Sequence, residues 1–166
     1  MSLPSAAHLA FWNDPDELLQ ALYRLGREPV PELREALRQL LDHADPDIRE
    51  EAIRVLATRW KDESARLRAF DMLRNDPTPM VRSAAAFAIG GTSTSASRNR
   101  DTRLLLSVLR DVAQPMDVRR AAYDALIIAH RKGAGEKSWP FPSHRSEFDP
   151  VRSVDWEWLR SLEEAG

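Results

Sequence analysis

Four histidines, a few paired carboxylates and one glycine-rich turn are the residues of this chain whose types allow chemistry, and their spacing decides how much. His8, His43, His130 and His144 lie far apart, and none stands three or four residues from another, so no helix face offers two imidazoles to a metal. Asp14, Asp16 and Glu17, and likewise Asp45 and Asp47, bring carboxylates together as acid–base catalysis requires. Each group also sits where a helix is predicted to begin, and acids there cap free amides and complement the helix dipole, which is the reading preferred. Gly90-Gly91-Thr92-Ser93 has the small residues of a phosphate-cradling loop without the Lys-Ser/Thr ending or a preceding strand, and is read as a hinge or surface loop. The absence of cysteine excludes disulfides, thiolate metal sites and cysteine nucleophiles. No catalytic residue, no metal ligand and no cofactor is assigned.

Charge is the remaining chemical signal. The net charge is −2, but residues 1–56 carry 6 arginines against 11 acids, residues 98–137 carry 9 basic groups against 5 acids, and residues 138–166 carry 3 against 6. A basic middle, with Arg98, Arg100, Arg103, Arg110, Arg119, Arg120, Arg131 and Lys132, lies between acidic ends and suits an anionic partner. The acidic ends and negative total weigh against nucleic acid as the main one. No apolar run reaches 18 residues and the first residues lack a signal-peptide core, so the expected address is the bacterial cytoplasm.

The elements that must position these charges announce themselves by repetition. Asp45-Pro46 leads to Arg49, Ala52 and Leu56; Asp76-Pro77 leads to Arg82, Ala85 and Ile89; Gln114-Pro115 leads to Arg119, Ala122 and Leu126. The arginines are 33 and 37 residues apart, the period of a stacked array of small helical units. Apolar residues at helical spacing mark the members: Leu18 to Leu25, Leu33 to Leu41, Ile48 to Leu56, Leu67 to Leu73, Val81 to Ile89, Leu104 to Val112 and Val118 to Ile128. That makes seven helices, or three and a half pairs, with residues 91–97 as an irregular polar loop. At 166 residues the chain buries roughly two-thirds of its unfolded surface as one array.

After Gly133 the repeat stops, and Trp139, Phe141, Phe148, Trp156 and Trp158 follow among prolines. The division expected is an array over 1–132 and an extended Pro/aromatic tail over 133–166, ending in a short helix that Asp155 caps and packing on the last repeat. The alternative use of Trp139, Phe141, Trp156 and Trp158 is as anchors in another molecule.

Helix, tight proline-containing turn and antiparallel helix, with Asp-Pro at the start and a Val/Ile-Arg step early in the first member, resembles the HEAT-repeat family, in particular its short bacterial, PBS-lyase-type repeats. The resemblance covers residues 14–130. It implies an all-α fold, a short right-handed α–α solenoid of about three and a half hairpins with the aromatic tail as its cap. It implies that the step arginines Arg49, Arg82 and Arg119 bond to turn acids of neighbouring units, in a ladder with Asp45, Asp76 and Asp117. It also implies that the second helix of each pair lines the concave face, which makes Glu35, Arg38, Arg66, Asp71, Arg74, Arg103, Ser107 and Arg110 the candidate partner-binding residues.

The function expected from these observations is a non-catalytic protein–protein interaction module, namely an adaptor, a regulator or an immunity-type inhibitor, whose partner is another protein with an acidic patch and which has no membrane role. The alternative is an enzyme or enzyme subunit of the HEAT-like class: a bilin lyase-type protein, or a DNA glycosylase-type nucleic-acid binder. Trp60 with Asp62 is similar to part of the Trp, Asp and Arg set in the groove of the latter.

Overall fold

The computed structural model describes residues 14–131 and 148–164, and among them there are helices and no strand. Helix α1 spans Pro15–Leu25. A 3-10 turn at Pro31–Leu33 leads into α2, Arg34–Gln39, which closes in another 3-10 turn at Leu40–Asp42. Helix α3 spans Pro46–Ile53 and continues as a π-helical stretch, Arg54–Arg59; α4 is Glu63–Asn75, α5 Pro79–Thr92, α6 Arg98–Arg110 and α7 Met116–Arg131. Two further helices follow, α8 at Pro150–Ser153 and α9 at Trp156–Glu164. The expected seven helices of the array are present. His8, His144, Trp139 and Phe141 lie outside the described residues.

Helix starts follow the Asp-Pro rule for a physical reason: the carboxylate accepts an otherwise orphaned amide, and proline at the first helical position has no amide to leave unpaired. Asp14 takes the amide of Asp16 at 2.9 Å, Asp45 that of Asp47 at 2.9 Å, and Asp149 that of Val151 at 2.8 Å. Asp62 does the same for Ala65 at 2.9 Å without a proline. Where the chain leaves the π-helical stretch, Lys61 takes a left-handed φ of 55°, which turns the backbone sharply enough for Asp62 to begin α4.

The helices form two layers. Helix α1 packs on α3, α3 on α5 and α5 on α7; in the other layer α2 lies against the π-helical stretch, α4 against α5 and α6 against α7. Leu22, Leu25, Leu37, Ile53, Leu56, Leu73, Ile89, Leu105, Leu109 and Leu126 fill the space between layers with no exposed surface. Each contributes about 1.5–3 kcal/mol relative to leaving it in water. Every unit covers its neighbours' apolar faces, which is the physical content of a solenoid.

Three expectations need correction. Gly90-Gly91 is neither hinge nor surface loop: α5 runs through both to Thr92, and Gly90 is buried where α5 meets α7. A Cβ on Gly90 would lie 2.4 Å from the Ala125 carbonyl oxygen and 2.8 Å from its Cα, so absence of a side chain sets how close the two helices come. Helix α6 begins at Arg98 and not near Leu104, because Thr94 and Ser97 exchange backbone-to-hydroxyl bonds of 3.1 and 3.3 Å that close the preceding turn. The same helix stops at Arg110, and Val112, counted among its apolar residues, is 84 % exposed.

Candidate partner-binding site

Two sets of arginine contacts fix how the units stack, and they determine which cations remain for a partner. In the first layer Arg49 sends Nε and Nη2 to the two oxygens of Asp76, both at 2.9 Å, and Nη1 to the carbonyls of His43 and Ala44. Arg82 repeats the motion one unit on: its Nη1 reaches the Asp76 and Pro77 carbonyls and its Nε reaches Gln114 Oε1 at 3.2 Å. Gln114 thus stands where the ladder was expected to use Asp117, which is exposed. Arg119 donates to the Leu109 carbonyl at 2.8 Å.

The second set, on the other layer, was not foreseen. Arg34 and Arg38 both reach Asp62 at the start of α4, with shortest distances of 3.0 and 2.7 Å. Arg66 on α4 reaches Asp101 on α6 at 2.7 Å, and both side chains are buried. Burial alone would push the Asp62 carboxyl up, but bonds from Arg38, the Ala65 amide and Arg34 outweigh it and hold the group below the ordinary carboxylate range. Asp76 behaves alike: burial opposes ionisation, while Arg49 and the Thr78 amide more than offset it.

This second set removes two candidates from the partner-binding list. Arg66 is 4 % exposed and committed to Asp101, so it cannot meet a partner as a free cation; Arg38 is half-buried between Asp62 and Glu35. Glu35 is exposed and pairs with Arg38. Asp71 is exposed too, but it pairs with Arg68, accepts from Asn75 and lines a different hollow, beside Arg49 and Asp76.

Arg74, Arg103 and Ser107 do converge. They line one open groove of about 570 Å³ between α4 and α6, together with Phe70, Arg100 and Leu104. Phe70 is half-buried beneath two guanidiniums, with Arg66 Cζ 5.2 Å and Arg100 Cζ 4.7 Å from its ring centroid. Arg100 also stands 3.8 Å from Asp101, whereas Arg74 and Arg103 are exposed and have no ion-pair or hydrogen-bond partner among the described residues. Three arginines and no carboxylate line this groove in a chain of net charge −2. Arg103, Ser107 and Arg110 follow one another at helical spacing on α6, and Arg110, at the end of that stripe, holds Glu163 of α9 through two bonds of 2.7 and 2.8 Å.

Phe70, Arg100 and Leu104 were missed as site residues. The signal for Arg100 was present in the reciprocal Thr94 and Ser97 pair, which starts α6 early enough to place Arg100 one turn before Leu104.

The remaining chemistry-bearing residues are structural. Trp60 is buried and donates its ring N–H to the Leu25 carbonyl at 2.8 Å, while Asp62 is 2 % exposed inside its ion pairs, so this Trp and Asp do not line the groove. His43 accepts the Asp45 amide, and His130 shares a 2.7 Å bond with Thr102 and packs edge-on against Trp158. Among the described residues no three His, Cys, Asp or Glu side chains form a group able to hold a metal, and no helix is long and apolar enough to cross a membrane.

Residues 9–90 match the family model described as HEAT repeats. Neither a curated protein nor a solved structure matches the chain.

Proposed function

Because this chain belongs to the HEAT-repeat family, whose repeats generally mediate contacts between proteins, we propose that it is a non-catalytic interaction module that binds its partner on the face built by α2, α4 and α6. The settings that fit are an adaptor, a regulator or an immunity-type inhibitor. One observation carries the reading: among the described residues Arg74 and Arg103 stand exposed and unpaired in a groove lined by no carboxylate, while arginines elsewhere in the same layer, Arg38 and Arg66, are neutralised by acids of the next unit. Two unpaired cations in one groove raise the local potential, and an acidic partner lowers it.

Affinity capture from the native cell tests the reading. The double change Arg74→Glu with Arg103→Glu removes the captured partner, and the equal-charge control Arg24→Glu with Arg27→Glu, on the exposed end of α1 and the turn after it, keeps it. Loss in both, or in neither, removes the support for this face.

A further inference from the structure

Resting on that reading, we infer that the occupant of the α4–α6 groove is a partner segment bearing neighbouring carboxylates, received by Arg74 and Arg103 with Arg100 beside them. Three contacts within the chain show what arginines of this layer accept. Arg38 takes Asp62, Arg66 takes Asp101 and Arg110 takes Glu163, each from a helix other than the arginine's own, and Arg38 and Arg66 add the exposed Glu35 and Glu63 of their own helices. The acid for Arg38 comes from the start of α4 and that for Arg66 from α6, so each is supplied by the following unit.

Arg103 sits on α6, the last helix of that layer in the array, and α9 comes next to it. Its side chain borders the groove on one side and, on the other, a cleft of about 200 Å³ lined by Leu162 and Glu163 of α9. Glu163 is taken by Arg110, and the Arg110 guanidinium in turn holds the Glu163 carboxyl below its ordinary range. Among the described residues Arg103 is left without the acid that Arg38 and Arg66 receive. An incoming carboxylate segment supplies it, and a second carboxylate of the same segment reaches Arg74 across the groove.

Arg100 has a different part. Its stacking on Phe70 and its nearness to Asp101 hold its guanidinium at the groove wall. Its charge adds to the field of the groove while its direction is set by the ring.

The probe is a fluorescein-labelled oligoglutamate peptide, read by anisotropy on the full chain, with inorganic phosphate and a short DNA duplex as competitors. Saturable binding that weakens as salt rises is expected, with a loss of about tenfold or more in Arg74→Gln plus Arg103→Gln. Arg24→Gln plus Arg27→Gln is expected to bind as the unaltered chain does, and matching thermal melts show that both variants fold. Equal loss in the control, no binding by the unaltered chain, or displacement by phosphate or DNA at lower concentration than by unlabelled peptide overturns the carboxylate assignment. If the carboxylate assignment fails while cellular capture still depends on Arg74 and Arg103, the interaction reading stands without it; if capture is indifferent to both, that reading fails by itself.

Discussion

Arg49 and Asp76, 27 residues apart, meet through two parallel bonds of 2.9 Å with side chains only 10 % and 6 % exposed. The same guanidinium holds two carbonyls of its own turn, so one residue ties a unit internally and to its successor. Asp76→Ala leaves that cation buried without its acid, and a loss of about 3–5 kcal/mol follows from the general cost of breaking a buried pair. Urea unfolding measures it. Replacing both residues, as Arg49→Met with Asp76→Leu, should recover most of the loss, because no uncompensated charge remains.

Stability should depend on pH from two directions. The Asp62 and Asp76 carboxyls are held below their ordinary value of 3.8, so their contribution is present above that pH and lost as acid protonates them. Asp124 is the opposite case. Burial pushes it up to about 6, opposed by the Arg120 charge, and one of its oxygens is buried without a hydrogen bond. A raised folded pKa means that its stabilisation is complete below 3.8 and disappears as pH rises through about 6. Asp124→Asn should therefore raise stability at pH 7 by about 1–3 kcal/mol and leave it nearly unchanged at pH 4. Thermal melts of both proteins across this range read the difference.

Neighbouring glycines should respond with opposite signs. At Gly90 a methyl group meets the Ala125 backbone, which cannot move aside as a flexible side chain can, so Gly90→Ala should cost about 1–3 kcal/mol or more. A Cβ on Gly91 would meet only Thr58 Cγ2, at 3.9 Å, apart from its own helix backbone, and Gly91→Ala should stabilise the α5 helix by about 0.5–1 kcal/mol. Denaturation midpoints of the two variants give the comparison.

Helix α9 should protect itself by its seat on the array. Leu159 is fully buried, Trp158 lies 6.4 Å from Tyr123 and 6.0 Å from His130 between ring centroids, and the Asp155 amide donates to the Tyr123 hydroxyl at 3.1 Å. We propose that this contact caps the array. Limited proteolysis should leave α9 intact in the unaltered chain, and Leu159→Asp should release it as an early fragment while residues 14–131 resist. Early release of α9 from the unaltered chain would favour the tryptophans as anchors in another molecule.

The seven array helices were legible because their causes are local: Asp-Pro starts, apolar residues every three or four positions, and a step arginine at a near-constant period. The boundary of α5 was not, since two glycines end most helices, and only the approach of Ala125 explains why these lie inside one. Helix α8 carried the familiar signal, Asp149-Pro150, outside the expected period. The arginine set of the second layer was hidden for another reason. Arg38 and Asp62 are 24 residues apart and Arg66 and Asp101 are 35 apart, so no fixed spacing links them. Helical spacing put Arg66 on an outer face without showing that Asp101 of the next unit lands on it. Arg74, Arg103 and Ser107, expected on the face of the second helices, lie exposed there among the described residues.

We propose that the α4–α6 face is the working surface of the molecule. A photo-crosslinking amino acid at Ser107, exposed beside the groove, should join a discrete partner in the native cell, and the same group at Met80, 39 % exposed on α5 in the other layer, should join none. A partner joined from Met80 and absent from Ser107 would contradict the account.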